Sequence, residues 1–323
     1  SAGSVTVTGV SDPSPGDTAA GIRYSFDFDS NGTFDLGNGT YAGSVGTTTV
    51  AVPAQYLADG NATRTVKVRV LDRDGLWTES TATIRVLNVA PTAPLTGGGT
   101  VPEGSTTTLQ FGAVTDPSPA DALAGFRYAF DTNGDGVLDV GGTTYAAAVT
   151  NPAATIPPAL LADSGSYTLR ARVYDKDGDF TEKTVVLVVQ NVAPTGAFVG
   201  GTAPEGSPGS VAFQAVADPS LADTAAGFRY AYDFDNDGTF EVGGTTYAAS
   251  VTSATAVVPA SYLPDGPLGH VVHGRVYDKD GGFTDYLATA VTTNVAPTAS
   301  LAGATVDEGG TAAVAFGPVT DPS

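Results

Sequence analysis

Residues 228–238 read Phe-Arg-Tyr-Ala-Tyr-Asp-Phe-Asp-Asn-Asp-Gly. The aromatic residues fall at every second position from Phe228 to Tyr232, which predicts a β-strand with one aromatic face turned toward a core. From Asp233 onward the acids, Asn and Gly indicate a loop. The end of the strand and the start of the loop, Tyr232-Asp233-Phe234-Asp235, have counterparts at Phe26-Asp27-Phe28-Asp29 and Phe130-Asp131-Thr132-Asn133. The same strand and loop are therefore expected three times.

Four short motifs recur along the chain with a period near 100 residues. Asn-Val-Ala-Pro-Thr begins at Asn88, Asn191 and Asn294, with a spacing of 103 residues both times. The other three begin at Asp12, Asp116, Asp218 and Asp321 (Asp-Pro-Ser), at Tyr41, Tyr145 and Tyr247 (a Tyr-Ala-rich stretch), and at Asp72, Asp175 and Asp278 (Asp-Lys/Arg-Asp-Gly). A solenoid repeat is shorter, roughly 20–50 residues, so this period predicts one whole β-sandwich per repeat.

The repeats predict the domain organisation. We expect a repeat at 1–87 that lacks its first segment, complete repeats at 88–190 and 191–293, and the first strands of a further repeat at 294–323. Because the chain ends are out of phase with the motifs, we expect more repeats beyond both ends in a longer protein. The alternative is that the last segment completes the first repeat of a neighbouring copy by strand donation.

Alternating apolar patterns in 191–293 predict about seven short strands separated by Gly and Pro turns. The clearest strands are expected at 210–215, 228–232, 239–242, 255–258, 270–277 and 283–292, with one helical turn near 260–263. The chain has no Cys, so the disulfide of antibody domains is absent. We therefore predict an all-β protein of tandem immunoglobulin-like β-sandwiches, arranged as an elongated array.

Acidic residues outnumber basic ones by 34 to 14, which gives a formal net charge of −20. Nucleic acids and anionic membranes attract basic surfaces, so neither is an expected partner. No run approaches the about 18 apolar residues of a membrane span, and no membrane insertion is expected. The acids either keep the protein soluble or bind hard cations such as Ca²⁺.

Each repeat carries one loop of the form Asp-x-(Asp/Asn)-x-(Asp/Asn)-Gly-x-x-(Asp/Glu). Oxygens at positions 1, 3 and 5 of such a loop converge on one point, the Gly permits the bend, position 7 offers a carbonyl and position 9 closes the shell. The predicted Ca²⁺ ligands are Asp27, Asp29, Asn31, Thr33 and Asp35 in loop A, Asp131, Asn133, Asp135, Val137 and Asp139 in loop B, and Asp233, Asp235, Asp237, Thr239 and Glu241 in loop C.

The three loops depart from an EF-hand. Position 12, where an EF-hand has a bidentate Glu, is Asn38, Gly142 or Gly244, and the flanking residues predict strands instead of helices. We expect a calcium loop that closes a β-hairpin and takes a further ligand from another segment. The alternative is a solvated Asp/Asn/Gly turn without an ion.

A second acidic pair lies in each Asp-(Lys/Arg)-Asp-Gly turn. Such a turn is ordinary in a β-hairpin and needs no ion. The pairs are also similar to those of cadherin-like arrays, in which an acid near the start of a domain, an Asp-x-Asp turn and a linker Asn share calcium at the joint. That similarity implies an alternative interdomain site formed from Asp72, Asp74, Asn88, Glu103, Asp175, Asp177, Asn191, Glu205, Asp278 and Asp280.

The repeats resemble polycystic-kidney-disease-type (PKD) repeats of bacterial surface proteins. The resemblance rests on Asn-Val-Ala-Pro-Thr, on Glu-Gly soon after it, on Asp-Pro-Ser, on the aromatic strand that enters the Asp-rich loop, and on Val-Tyr-Asp-Lys-Asp-Gly at 173–178 and 276–281. It departs at the family's Trp-Asp-Phe-Gly-Asp-Gly motif, where this chain keeps an aromatic residue and adds acids. The resemblance implies adhesion, spacing or contact with a carbohydrate surface.

Catalysis is not expected. His270 and His273 are the only histidines, they face opposite sides of a predicted strand, and no Gly-x-Ser-x-Gly motif is present. Trp77 is expected to pack in a core or at its edge. We predict a structural or adhesive shaft of an extracellular, cell-surface or fibre protein that Ca²⁺ stiffens. Its expected partners are neighbouring repeats, other copies in a filament or a surface ligand. The alternative is a set of carbohydrate- or protein-binding repeats of a secreted hydrolase.

Overall fold

The computed structural model describes residues 3–322, and its main elements are β-strands. Ser1, Ala2 and Ser323, at the outer ends of the first and last predicted repeats, lie outside the described residues. The chain forms two compact units. The first runs through Gly98 and includes Thr108–Thr155 and Thr168–Val186, and the second contains Gly99–Thr107, Ile156–Tyr167 and the described residues from Leu187 onward.

Among the described residues, five strands lie before residue 87, and seven lie in each of the segments 88–190 and 191–293. Up to residue 86 they are β1 (Ser4–Thr6), β2 (Arg23–Asp27), β3 (Thr49–Ala51), β4 (Ala62–Leu71) and β5 (Trp77–Val86). The next are β6 (Leu95–Thr96), β7 (Gly99–Pro102), β8 (Thr107–Phe111), β9 (Arg127–Asp131), β10 (Ala153–Ile156), β11 (Gly165–Tyr174) and β12 (Phe180–Gln190). The last are β13 (Thr195–Gly200), β14 (Thr202–Pro204), β15 (Gly209–Ala217), β16 (Arg229–Asp233), β17 (Thr255–Val258), β18 (Leu268–Tyr277), β19 (Phe283–Thr293), β20 (Leu301–Ala302) and β21 (Ala315–Phe316).

The helices are short. The α-helices are α1 (Pro15–Ala20), α2 (Pro119–Ala124) and α3 (Leu221–Ala226), and the 3₁₀ turns are Ala54–Leu57, Tyr145–Ala147, Pro158–Leu161, Tyr247–Ala249 and Ala260–Tyr262. Among the described residues, no helix has the length and apolar character that a membrane span requires.

Strands β13 to β19 form a two-sheet sandwich within the second unit. One sheet has the order β13-β15-β17 and the other β14-β19-β18-β16. Strand β14 pairs parallel with β19, and the remaining pairs are antiparallel. Two antiparallel-rich sheets with seven strands in all are the architecture of an immunoglobulin-like sandwich. The predicted all-β, immunoglobulin-like fold is confirmed.

The core of this sandwich is aromatic and aliphatic. Phe198 and Phe213 stack with ring centroids 4.5 Å apart, and the ring of Tyr232 packs against both. Val272 and Val276 of β18 are fully buried in the same cluster. The aromatic face predicted from the alternation in 228–232 therefore faces the core.

The other face of β16 is also covered, which the alternation does not predict. After β16 the chain runs back over the strand, and isolated bridges join Tyr232 to Val242 and Tyr230 to Val251. As a result Ala231 is 0 % exposed. The strand expected at 239–242 is therefore a single bridge, because this segment lies over β16 instead of extending a sheet.

The same register recurs in the first unit. Strand β2 pairs with β4, and β9 pairs with β11, in the antiparallel manner of β16 with β18. Isolated bridges again return the following segment to the strand, from Phe26 to Leu36 and from Phe130 to Val140. Each Asp-rich loop thus begins at the end of an equivalent buried strand.

The sequence patterns miss two kinds of element. Strands β13 and β14 are short and rich in Gly and Pro, so their alternation is weak. Helices α1 to α3 have six residues each, which is too few to show a helical period. The helical turn expected near 260–263 is present at Ala260–Tyr262, but it is not the only helical segment, since a helix also follows the Asp-Pro-Ser motifs that begin at Asp12, Asp116 and Asp218.

Candidate functional site

The first acid of each Asp-rich loop is buried at a strand end. Asp27, Asp131 and Asp233 end β2, β9 and β16 and are at most 1 % exposed. In loop C, Asp233 Oδ1 accepts the backbone N–H of Asp237 at 3.2 Å, and Oδ2 accepts that of Gly238 at 2.9 Å. The first acids of loops A and B accept two loop N–H groups in the same way. This carboxylate therefore fixes the conformation of its loop.

The acid at position 9 folds back onto the end of the strand. Glu241 Oε2 accepts the backbone N–H of Phe234 at 2.6 Å. Asp35 and Asp139 accept the equivalent N–H groups of loops A and B at 2.7 and 2.8 Å. In loop A the second oxygen of Asp35 also accepts the Tyr56 hydroxyl at 2.6 Å. Both ends of each loop are thus held by a carboxylate.

Loops A and C bring several carboxylates together. In each group, every acid offers an oxygen within 4.8 Å of the others. The acids in these groups are Asp27, Asp29 and Asp35 in loop A and Asp233, Asp235, Asp237 and Glu241 in loop C. The first acid is buried and the remaining acids are exposed, so each group is open to water on one side.

The predicted ligands at positions 5 and 7 are bonded to each other. The N–H of Thr33 donates to Asn31 Oδ1 at 2.8 Å, which forms a tight side-chain turn. The same bond joins Val137 to Asp135 at 2.7 Å and Thr239 to Asp237 at 2.8 Å. The proposed use of the position-7 carbonyl oxygens stays a prediction.

Loop B has a competing cation. Arg170 lies opposite Asp131 in the register of β11 and β9, and its Nε is 3.4 Å from Asp131 Oδ2. Asn133 Nδ2 donates to Asp135 at 3.2 Å and to Asp139 at 3.4 Å. The acids of loop B are therefore partly neutralised by the protein itself.

The Asp-Lys-Asp-Gly turn of the third repeat uses its acids within the fold. Asp278 Oδ1 accepts the backbone N–H groups of Asp280 and Gly282, and Oδ2 accepts Asn191 Nδ2 at 3.0 Å. Asp280 pairs with the neighbouring Lys279 at 2.9 Å. Asp278 is thus a turn cap and an anchor for the linker Asn, as the hairpin interpretation expects.

The equivalent turns of the other repeats follow the same scheme. Asp175 Oδ2 accepts Asn88 Nδ2 at 2.8 Å, and Asp177 pairs with Lys176 at 2.9 Å. In the first repeat Asp72 accepts the backbone N–H of Leu76, and Asp74 lies 3.4 Å from Arg73. Asp72 also offers an oxygen within 4.8 Å of oxygens from Asp12 and Asp17.

Sequence reasoning missed the acids of the Asp-Pro-Ser segment. In the third repeat Asp218 Oδ1 accepts the N–H of Ser220 at 2.8 Å, and Ser220 caps α3 by accepting the N–H of Asp223 at 3.0 Å. The Ser220 hydroxyl also donates to the carbonyl of Ala162 in the preceding repeat at 2.5 Å. The signal was present, because an Asp follows the first three Asp-Pro-Ser motifs at a fixed distance (Asp17, Asp121 and Asp223).

Glu103 lies beside these acids. It is 2 % exposed, and its Oε1 accepts the N–H of Val192 at 2.8 Å. Its carboxylate comes within 4.8 Å of oxygens from Asp218 and Asp223. Burial raises the pKa of Glu103 to about 7; the Val192 hydrogen bond opposes this rise and the neighbouring Asp carboxylates add to it. Burial also raises the pKa values of Asp218 and Asp223.

Glu205 occupies the equivalent place one repeat later but has different surroundings. Its Oε1 accepts the N–H of Val295 at 2.6 Å, and its Oε2 accepts the N–H of Gly266 at 2.8 Å. Both oxygens of Glu205 are therefore satisfied by backbone groups.

Comparison with known proteins finds similarity in solved structures only. No family model and no curated protein matches this sequence. Immunoglobulin domains 1–4 of Sidekick-1 are 12% identical over 91% of this chain and 72% of that chain, with a TM-score of 0.34. Insect hemolin is 11% identical over 84% and 67%, with a TM-score of 0.37, and Drosophila N-cadherin EC1-4 is 16% identical over 90% and 71%, with a TM-score of 0.26. The sites described above therefore rest on their own geometry.

Proposed function

We propose that this chain is a non-catalytic segment of an extracellular surface or fibre protein, a structural or adhesive shaft whose repeats bind Ca²⁺ in their Asp-rich loops. Each of the repeats 1–87, 88–190 and 191–293 is a domain in this proposal, with 294–323 as the start of a further one. The observation that carries the proposal is the grouping of four carboxylates in loop C within 4.8 Å.

The chemistry of the loops fits calcium better than other metals. The donors are carboxylate, amide and carbonyl oxygens, which hard cations prefer, and no His or Cys is among the proposed ligands. Carboxylates held this close repel one another when they are ionised, and a divalent cation removes that repulsion. In loop C the ion would be held by Asp233, Asp235, Asp237 and Glu241, with the carbonyl of Thr239.

A bound ion would stiffen the sandwich locally. The loop joins the buried strand β16 to the segment that runs back over it, so an ion in loop C holds these two layers together. The acidic surface and the resemblance to PKD-type repeats further support an extracellular role, with neighbouring repeats, other copies or a surface ligand as partners.

A binding role is the second candidate. Trp77, Phe180 and Phe283 occupy equivalent positions and are 54, 42 and 46 % exposed, whereas Trp77 was expected to pack in a core or at its edge. Each ring stacks on an Arg, as Trp77 does on Arg69 at 4.1 Å, which leaves the remaining exposed area for a sugar or peptide. Loss of glycan binding in Trp77→Ala on a glycan array would favour this role.

Calcium binding by the loops is tested with the full chain. Thermal unfolding is measured in excess Ca²⁺ and in chelator, and bound calcium is counted after equilibrium dialysis. We expect a higher melting temperature in Ca²⁺, as linkage requires of an ion that binds the folded state. The double variant Asp233→Asn/Asp235→Asn should lose one ion and part of the shift.

The control is Asp307→Asn, which removes an exposed acid outside the three loops. It should bind as many ions as the unaltered protein. If the loop C variant keeps its fold by circular dichroism and binds as many ions as the unaltered protein, the loops are solvated turns without an ion.

A further inference from the structure

Three carboxylates converge where the second repeat meets the third, and all of them belong to the second compact unit. We name Glu103, Asp218 and Asp223 the joint cluster. Glu103 directly follows β7 in the second repeat. In the third repeat, Asp218 precedes α3 and Asp223 lies in its first turn. The cluster is therefore assembled from segments more than 100 residues apart in the chain.

The joint cluster holds several buried oxygens that accept no hydrogen bond. Glu103 and Asp223 are 2 and 0 % exposed. The unbonded oxygens are Glu103 Oε2, Asp218 Oδ2 and both carboxylate oxygens of Asp223. Buried polar atoms nearly always have a partner, and an unpaired buried carboxylate is strongly unfavourable.

Lys279 does not neutralise the cluster. Its Nζ lies 3.5 Å from Asp223 Oδ1, but its hydrogen bonds go to Asp163 at 2.5 Å and Asp280 at 2.9 Å. Three carboxylates thus share one ammonium group. Within the described part of the chain, Glu103 and Asp218 form no ion pair, so the cluster keeps an excess of negative charge.

A bound cation would satisfy the unbonded oxygens and also neutralise the excess negative charge. A divalent cation binds several anionic oxygens at once and carries twice the charge of an ammonium group, whereas a water molecule carries no charge. All three donors are carboxylates, which suit calcium better than they suit softer metals.

We propose that the joint cluster binds one calcium ion between the second and third repeats. Its ligands are Glu103 Oε2, Asp218 Oδ2 and the carboxylate of Asp223. Glu103 comes from one repeat and the two Asp residues from the next, so the ion cross-links consecutive repeats. The site is separate from loops A to C and does not depend on calcium binding there.

Glu103→Gln in the full chain tests the site. The Gln keeps the shape of the side chain and the oxygen that accepts the Val192 N–H, but it removes one anionic ligand. We expect equilibrium dialysis followed by elemental analysis to find one calcium ion fewer per chain. In Ca²⁺ we expect the variant to have a lower melting temperature than the unaltered protein. In chelator we expect its melting temperature to be equal or higher, because the substitution removes a buried unpaired charge.

Glu205→Gln is the matched control. Both oxygens of Glu205 already accept backbone hydrogen bonds, so this variant should keep all its ions and lose stability equally in Ca²⁺ and in chelator. Asp218→Asn supplies an independent variant on the other side of the joint, and it should also lose one ion.

The proposal is overturned if Glu103→Gln and Asp218→Asn both bind as many ions as the unaltered protein. It is also overturned if Glu103→Gln raises the melting temperature equally in Ca²⁺ and in chelator, since protonation would then explain the buried acid. Failure of the loop proposal gives a different result, because it leaves the ion count of the loop C double variant unchanged while Glu103→Gln still loses one.

Discussion

The carboxyl group of Glu103 makes stability depend on pH. Its pKa in the folded protein is about 7, against an ordinary value of 4.5. Between these values the folded state holds more protons than the unfolded state, so stability falls as pH rises. In chelator we expect a loss of up to about 3 kcal/mol from this group between pH 4.5 and 7, measured as a declining melting temperature.

Glu103→Gln has no titrating group at this position and should flatten that decline. Calcium should also reduce this decline, because it binds the ionised carboxylate and so favours ionisation in the folded state. An unchanged pH profile in Glu103→Gln would show that other buried acids cause the decline, since burial also raises the pKa of Asp116, Asp175, Asp218 and Asp223.

The Ser220 side chain makes two hydrogen bonds, one within its own repeat and one to the preceding repeat. Its hydroxyl caps α3 and also donates to the carbonyl of Ala162 in the preceding repeat. Ser220→Ala should therefore cost about 1–2 kcal/mol, because it removes a helix cap and a buried hydrogen bond together. Chemical denaturation followed by fluorescence measures this loss.

Ser14 and Ser118 complete a matched series. Ser118 makes both bonds, with Asp121 and with the carbonyl of Ala58, whereas within residues 3–322 the hydroxyl of Ser14 bonds only to the N–H of Asp17. Ser118→Ala should resemble Ser220→Ala, and Ser14→Ala should cost less. Equal losses in all three variants would show that the cap matters and the bond to the preceding repeat does not.

At the scale of elements, the three loops should differ in affinity for calcium. Loop C offers four carboxylates and loop A three, while Arg170 lies 3.4 Å from the first acid of loop B. Affinity in such loops increases with ligand charge. We expect the order C, A, B from tightest to weakest, and Arg170→Met should strengthen loop B roughly three- to tenfold. Isothermal titration calorimetry resolves the classes of site.

Arg172→Met is the control for that variant. Arg172 lies on the same strand and pairs with Glu182 at 2.7 Å, but it is not an ion-pair partner of Asp131. It should leave the weakest class of site unchanged. Identical titrations for Arg170→Met and the unaltered protein would mean that loop B is not limited by this guanidinium group.

The elements also show what the sequence can and cannot predict. The strand at 255–258 was predicted with its observed bounds, because alternation is a local pattern. The acids of loops A and C could be predicted as a group for the same reason, since all lie within nine positions of one another. Asp218 and Asp223 could not, because only the packing of one repeat against the next brings them to Glu103.

At the scale of the whole molecule, the net charge is −20. The dependence of the melting temperature on salt therefore tests whether the acids only keep the protein soluble or also bind calcium. Sodium chloride screens repulsion among exposed charges at any position, whereas a bound divalent ion cancels it at particular clusters. In chelator we expect the melting temperature to rise as NaCl increases from about 0.05 to 0.5 M, because the Debye length shortens from roughly 14 to 4 Å. In saturating Ca²⁺ the same increase should have a smaller effect.

The difference between the NaCl responses in Ca²⁺ and in chelator distinguishes general screening from calcium binding at the clusters. If the acids serve only solubility, sodium and calcium act by the same screening, and the response to NaCl is equal in Ca²⁺ and in chelator at matched ionic strength. If calcium occupies the clusters, the strongest repulsions are already removed, and Mg²⁺ at the same concentration should protect less because it gives up its water ligands reluctantly. A chain that Mg²⁺ and Ca²⁺ stabilise equally would have an acidic surface without selective sites.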